Sequence, residues 1–237
     1  MNRVCYTYEF AFPSGRKECF KINLDPKKLE PLDPGPPVLP EWTRMGFHQC
    51  QGCPLDPTRR PYCPLAVRMA PIVEQMSDVN SVDEVECTVT VDERSITRSA
   101  TAQEALSSLM GVVVATSGCP VTAFFKPMAR FHLPFANPEE TYYRAASMYM
   151  LGQYYRWQRK LSADLDMIGL KKFYAAVANV NRGMAERLRA NKREDGAINA
   201  IVLLDTFVRG MPTEVEWTLR DLAPLFEPYL ADKHFFE

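Results

Sequence analysis

The chain has 237 residues, of which 46% are hydrophobic, so it can bury a sizeable core without needing a metal to reach a stable size. Its 28 Lys and Arg residues balance 29 Asp and Glu residues, which argues against a nucleic acid or an anionic membrane as a partner. No apolar run is long enough for a signal peptide or for the roughly 18 residues of a membrane span, so we expect a cytoplasmic protein. Its seven cysteines would then stay reduced, and clusters among them would be metal ligands or redox groups rather than disulfides.

Two segments alternate apolar and polar residues with the period of a β-strand on both sides of a turn. The first covers residues 4–24 and turns at 13–15, and the second covers residues 85–98 and turns at 92–93. The proline-rich stretch 26–40 lacks the backbone donors of a helix or an inner strand, so it should cross the surface as an extended connection. We expect the two hairpins to lie in one small antiparallel sheet.

The remaining patterns have helical period, and they dominate the chain after residue 101. Helices are predicted at residues 65–76, 101–115, 137–160, 166–191, 196–209 and 213–222. The second of these has few polar positions and should be buried, and Gly210 and Pro212 should separate the last two. The sequence therefore predicts a single α+β domain over residues 1–237, with the sheet and a cysteine loop in 1–100 and a mainly α-helical part in 101–237.

Four cysteines form the strongest chemical pattern in the sequence. Cys50 and Cys53 are separated by two residues with a glycine between them, and Cys63 follows in the same proline-rich loop. Such spacing lets two sulfurs point to one side of a tight turn, where they can bind one zinc ion or two corners of an iron–sulfur cluster. Cys119, at the end of the buried helix, is the fourth candidate ligand. We predict that these four side chains hold one metal centre.

The identity of the metal depends on the residues around the thiols. Proline follows Cys53, Cys63 and Cys119, as it follows the last cysteine of bacterial ferredoxin motifs. It keeps the preceding cysteine extended and prevents a helix from carrying the thiol away. The spacing nevertheless matches neither common ferredoxin pattern, and zinc needs no proline. The pattern favours a [4Fe–4S] cluster over structural zinc, and it leaves open that the cysteines are buried core residues or that Cys50 and Cys53 are a redox-active pair.

Other residues carry weaker signals. His48 could replace a thiolate or bond a sulfur, and the terminal His234 should be exposed. Cys119, His132 and Glu139 could together form a cysteine-nucleophile site, although a thiol after a helix C-terminus is poorly placed to ionise. The basic residues between 182 and 193, which include Arg187, are interrupted by acids and are expected to form a solvated helix face.

Several motifs make the chain similar to members of a bacterial protein family whose domain has no known function. These motifs are residues 47–50, 53–55, 62–66, 106–111, 117–120 and 128–135, and they contain His-x-Cys-x2-Cys-Pro, Tyr-Cys-Pro and Ser-Gly-Cys-Pro. The resemblance covers most of the chain up to about residue 205. It implies a bacterial origin and supplies no activity.

The sequence supports three functional hypotheses. The first is an iron–sulfur protein in electron transfer or redox sensing with an unidentified redox or protein partner. The second is a structural zinc interaction module, whose tyrosine-rich helix around residues 142–157 could form a homodimer. The third is an enzyme in which Arg130 binds an anion and His132 moves a proton beside the metal centre. An open cleft that contains both Arg130 and His132 would favour the enzyme.

Overall fold

The computed structural model describes residues 3–191 and 195–231 and shows an α+β fold. Four strands form one antiparallel sheet with the order β2-β1-β3-β4, which confirms that the two predicted hairpins share a sheet. The strands are β1 Val4–Ala11, β2 Lys17–Leu24, β3 Glu84–Val91 and β4 Arg94–Thr101. In the register of the sheet, Tyr8 lies opposite both Phe20 and Val89.

The structure contains the predicted helices up to residue 190, with an additional short helix between the second and third, and it differs from the prediction at the C-terminal end. They are α1 Pro64–Gln75, α2 Ala102–Thr116, α3 Lys126–Arg130, α4 Pro138–Gln158, α5 Ile168–Ala190, α6 Asp195–Leu222 and α7 Glu227–Ala231. Capping boxes begin α2 at Thr101 with Glu104 and α4 at Asn137 with Glu140. In the described part of the chain, no helix is both long and apolar enough to cross a membrane.

The predicted break between residues 209 and 213 was wrong, because α6 continues through Gly210 and Pro212. A proline inside a helix removes one backbone hydrogen bond and costs about 3 kcal/mol. Along α6 the buried residues Ile201, Val208, Val215 and Leu222 recur every seven positions on one face. Burial of such a face stabilises the helix by more than local propensity opposes it.

One hydrophobic core joins the sheet to the helices. Alternate residues of β1 are buried, and most of α2 is buried between the sheet and α6. Met184 and Leu188 of α5 belong to the same core. A smaller cluster, centred on Tyr142, Tyr149 and Tyr174, joins α4, α5 and α6. This arrangement places α5 over the ends of α1 and α2, where two of the candidate ligands lie.

Candidate metal centre

Local turns position each of the four candidate cysteines. The N–H of Cys53 donates to the carbonyl of Cys50 at 3.1 Å, and Gly52 between them has a φ of 74°, which a residue with a Cβ rarely adopts. Cys63 is the N-cap residue of α1 and keeps an extended backbone before Pro64. After α2, Gly118 has a φ of 90°, and the N–H of Cys119 donates to Ser117 Oγ at 3.2 Å. The glycine reverses the chain so that Cys119 leaves the helix axis.

All four cysteines line one cavity of about 130 Å³. Cys63 and Cys119 are each 8% exposed, whereas Cys50 and Cys53 are partly buried. The exposed residues Gln51 and Gly52 form part of the same wall, so the cavity lies just beneath the surface. Cys119 therefore lies beside the cysteine loop despite its distance in sequence. The other three cysteines, Cys5, Cys19 and Cys87, lie in β1, β2 and β3.

Helix α5 closes the cavity on the side opposite the loop. Val180 and Met184 line the cavity, and Cys50 Sγ lies 3.8 Å from the Val180 carbonyl oxygen. Gly183 faces the loop so closely that a Cβ there would lie 2.7 Å from Cys50 Sγ and 3.3 Å from Cys50 Cα. Only a residue without a side chain fits between α5 and Cys50 in this arrangement.

Arg187, one turn further along α5, ties the beginning of the loop to the helix. Its Nη1 donates to the carbonyls of Trp42 and Arg44 at 2.8 and 2.6 Å, and its Nη2 donates to Met45 at 3.0 Å. The side chain is fully buried, so the expectation of a solvated face was wrong for this residue. Within the described residues it makes no ion pair with a carboxylate.

Burial disfavours ionisation of the cysteine thiols unless a nearby positive charge stabilises the thiolates. It raises the pKa of Cys50 to about 12, and the neighbouring Cys63 adds to the rise while the Arg187 charge opposes it. Burial also raises the pKa of Cys63, although the backbone N–H groups of Ala66 and Leu65 at the start of α1 counteract it. A bound metal would supply the positive charge that ionisation of these thiols requires.

The arrangement of the four cysteines limits which kind of metal centre they can bind. Zn–S bonds of about 2.3 Å bring the four sulfurs of a zinc site within roughly 4 Å of each other. Across residues 3–191 and 195–231, no group of three or more His, Cys, Asp or Glu side chains is arranged to hold a single metal ion. The four thiols line, together with other residues, a cavity of about 130 Å³. The described arrangement of these side chains is therefore not that of a site for a single zinc ion.

The secondary candidates lie elsewhere. His48 is exposed and does not line the cysteine cavity, and its Nδ1 lies 3.9 Å from Glu186 Oε2. His132 lines a second and larger cavity, in which its Nε2 is 2.6 Å from Tyr8 Oη. Arg130 lines neither cavity, and its guanidinium lies over the Phe131 ring.

The structure separates the three residues of the suggested nucleophile site. Cys119 and His132 line different cavities, and Glu139 is exposed, so the three do not form a nucleophile site. His132 lines the larger cavity and Arg130 does not, and neither residue lines the cysteine cavity. His234 lies outside the part of the chain that the structure describes.

Comparison with known proteins gives a family. A family model described as a domain of unknown function (DUF6901) matches residues 6–227. The chain belongs to this family. No curated protein and no solved structure matches the chain. The family fits the resemblance carried by the sequence motifs, whereas a bacterial origin stays a prediction, and DUF6901 membership assigns no activity.

Two residues of the site were not found from the sequence. Gly183 is a single glycine inside a helix, and such glycines often mark close packing, so its position was a signal that could have been used. Arg187 lies at the helical spacing of the buried Val180 and Met184, which could have indicated that it faces the protein interior.

Proposed function

We propose that this DUF6901 protein holds a [4Fe–4S] cluster through Cys50, Cys53, Cys63 and Cys119. We infer that it acts in the cytoplasm in electron transfer or redox sensing, with a redox or protein partner. The observation that carries the proposal is the shared cavity, lined by four thiols that reach it from three separate segments of the chain.

The buried charge of Arg187 supports a metal–thiolate centre over four neutral thiols. A cation without a carboxylate partner is costly in a protein interior. Four thiolates around a [4Fe–4S] core, or around zinc, carry a net charge of about −2. The attraction between Arg187 and ionised Cys50 and Cys63 would then offset the burial of the guanidinium. With neutral thiols, the charge is compensated by the three backbone carbonyls and by its position in the last turn of α5, without an anionic group within ion-pair distance among the described residues.

The depth of the cavity supports electron transfer. The turn at Gln51 and Gly52 is exposed and forms the outer wall of the cavity, so a cluster there would lie a few atoms beneath the surface. A redox partner that docks on this turn could approach the cluster without any opening of the fold. Solvent exposure and hydrogen bonds near the sulfurs would set its reduction potential.

The test is the metal content of protein purified without oxygen. The proposal expects brown protein with about four iron atoms and four acid-labile sulfides per chain. Serine substitution of each of Cys50, Cys53, Cys63 and Cys119 should lower that content, whereas Cys19→Ser, at an exposed strand position, should keep it. If the protein contained one zinc ion per chain and no iron, the centre would be a structural zinc site and not an iron–sulfur cluster. Protein with neither metal, or a Cys50→Ser variant with full iron content, would refute the four-cysteine centre.

A further inference from the structure

The larger cavity has the size and lining of a small-molecule site. Its volume is about 450 Å³, within the usual range for ligand pockets. Its walls come from α2, α4, α5 and α6 and from the segment around α3, and the exposed Asn137 and Pro138 form its mouth. Most of the lining is apolar, with Val114, Phe125, Met128, Val177 and Val208 among the contributors.

One buried amide in this wall has no partner. Asn181 is 2% exposed, and its Nδ2 makes no hydrogen bond with any residue that the structure describes. A buried donor without an acceptor destabilises the folded protein, so such groups call for an explanation. An acceptor on a bound molecule would satisfy this donor.

A positive charge in the same wall has no described carboxylate at ion-pair distance, and Glu140, one turn earlier on α4, attracts it only from further away. Arg144 Nη2 donates to the carbonyls of Met128 and Phe131 at 2.9 and 2.8 Å, and no described carboxylate lies within ion-pair distance of the guanidinium. Burial lowers its pKa, which means that the charge is held in a poorly solvated place. An anionic group on a ligand would compensate for that charge.

The acidic group in the lining does not serve this purpose. Glu104 accepts hydrogen bonds from the Thr101 N–H and hydroxyl, both at 2.9 Å, and lies 3.7 Å from Arg98. Its charge is therefore used by the cap of α2 and by Arg98, which also lines the cavity. Burial and the nearby Arg144 lower the pKa of His132 to about 3, so its ring is neutral at physiological pH. The Glu140 carboxylate accepts from the Asn137 N–H in the cap of α4, so the Arg144 guanidinium is left as the cation in this wall without a carboxylate bonded to it among the described residues.

We propose that this cavity binds a small amphipathic carboxylic acid. Its carboxylate bonds Arg144, its apolar body fills the space between α2 and α5, and a second acceptor bonds Asn181. Arg144 interacts electrostatically with Tyr174, which lies seven residues before Asn181 on α5. Seven residues of helix span about 10 Å, so the two polar contacts lie at different ends of the ligand. The proposal does not depend on the metal centre.

The test is isothermal titration of the full chain with three probes of equal chain length: octanoate, 1-octanol and monomethyl octanedioate. We expect octanoate to bind at least about tenfold more tightly than 1-octanol, because only octanoate makes the charge-assisted bond. The ester acid should bind several-fold more tightly than octanoate. Equal affinity for octanoate and 1-octanol, or no binding of any probe at about 1 mM, would overturn the proposal.

Variants assign each contact. Arg144→Met should abolish the preference for octanoate over 1-octanol, whereas Arg156→Met, which removes a guanidinium on the exposed part of α4, should keep it. Asn181→Leu should remove the advantage of the ester acid without lowering thermal stability, because it deletes an unpaired buried donor. Ala136→Trp, at the mouth, should weaken all three probes. Unchanged affinities in Ala136→Trp, or an unchanged ester preference in Asn181→Leu, would show that the probes bind elsewhere. If Arg144→Met does not fold, the probe comparison on the wild type and Asn181→Leu still decides.

Discussion

The close approach of α5 to the cysteine loop gives a sharp prediction for Gly183→Ala. In a helix interior, alanine is favoured over glycine by about 1 kcal/mol, so helix propensity alone would make this variant more stable. The new Cβ would however lie 2.7 Å from Cys50 Sγ and 3.3 Å from Cys50 Cα. Non-bonded carbon and sulfur atoms prefer separations nearer 3.5 to 4.0 Å, so the Cys50 sulfur must move by about 1 Å, through its own side chain, the loop or the helix.

The expected stability change is small because the two effects oppose each other. Overpacking costs about 1–3 kcal/mol, which leaves a net destabilisation between roughly zero and 2 kcal/mol. The effect on the metal should be much larger. Metal–ligand distances tolerate about 0.2 Å, so a displacement of Cys50 by 1 Å removes one ligand from the proposed centre. Gly183→Ala should therefore be a folded protein with a depleted metal content.

Gly152→Ala is the matched control. Gly152 lies inside α4, is exposed, and has no heavy atom within 4 Å of the position that a Cβ would take. This variant should gain about 0.5–1 kcal/mol and keep its full metal content. Iron and sulfide analysis gives the metal content, and urea unfolding gives the stability. If Gly183→Ala gained as much stability as Gly152→Ala and kept all its metal, α5 would not constrain Cys50 as described.

Three other predictions concern charge, pH and association. Arg187→Met should lower the free energy of unfolding by about 3 kcal/mol or more, because it leaves three buried carbonyls without donors. The control Arg189→Met, on the exposed face of α5, should change it by less than about 0.5 kcal/mol. Similar losses for the two variants in urea unfolding would contradict the buried role of Arg187. The pKa of His132 is about 3 in the folded protein against 6.5 for an ordinary histidine, so the unfolded chain binds more protons between these values and stability falls as pH falls through this window. At pH 5 the resulting loss of unfolding free energy is up to about 2 kcal/mol. His132→Gln should remove this loss and His48→Gln should not. If His132→Gln kept the pH dependence of the wild type, His132 would not be its source. The C-terminal end of α4 exposes aromatic side chains, and Trp157 is 66% exposed, so we predict a homodimer through this end that Trp157→Glu disrupts. Sedimentation of the wild type as a monomer at about 100 µM would argue against this homodimer.

The parts of the fold that depend on local pattern were predictable from the sequence. Alternation of apolar residues with a period of two determined both hairpins, because one face of the sheet is buried. Helix starts at Thr101 and Asn137 were readable because capping residues act within one turn. The prediction of a helix break at Gly210 and Pro212 was wrong because it considered local propensity alone. Packing of a buried face along α6 is a long-range effect that outweighs local propensity.

The candidate site likewise has features that local sequence predicts and features that depend on long-range packing. The spacing of Cys50 and Cys53 is local, and it was enough to select both as ligands. The location of Cys119 beside them depends on how α2 packs against α1, so the sequence could only propose it by its chemistry. The burial of Arg187 depends on three carbonyls more than 140 positions earlier in the chain. No sequence window contains both the donor and its acceptors, which is why the solvated-face interpretation failed.

Helix α5 separates the two cavities, and this position makes the two proposals separable by experiment. Val180 faces the cysteine cavity and the next residue, Asn181, faces the larger one, as expected for neighbours about 100° apart on a helix. If Gly183→Ala displaces only the loop, the metal is lost and octanoate binding by the larger cavity is kept. If α5 itself moves, both are lost, because Asn181 and Tyr174 move with it. Measurement of metal content and probe affinity on this one variant therefore distinguishes a flexible cysteine loop from a mobile helix. A flexible loop is the expected result, because α5 is fixed on its other sides by the buried Val177 and Leu188 whereas the loop residues Gln51 and Gly52 are exposed.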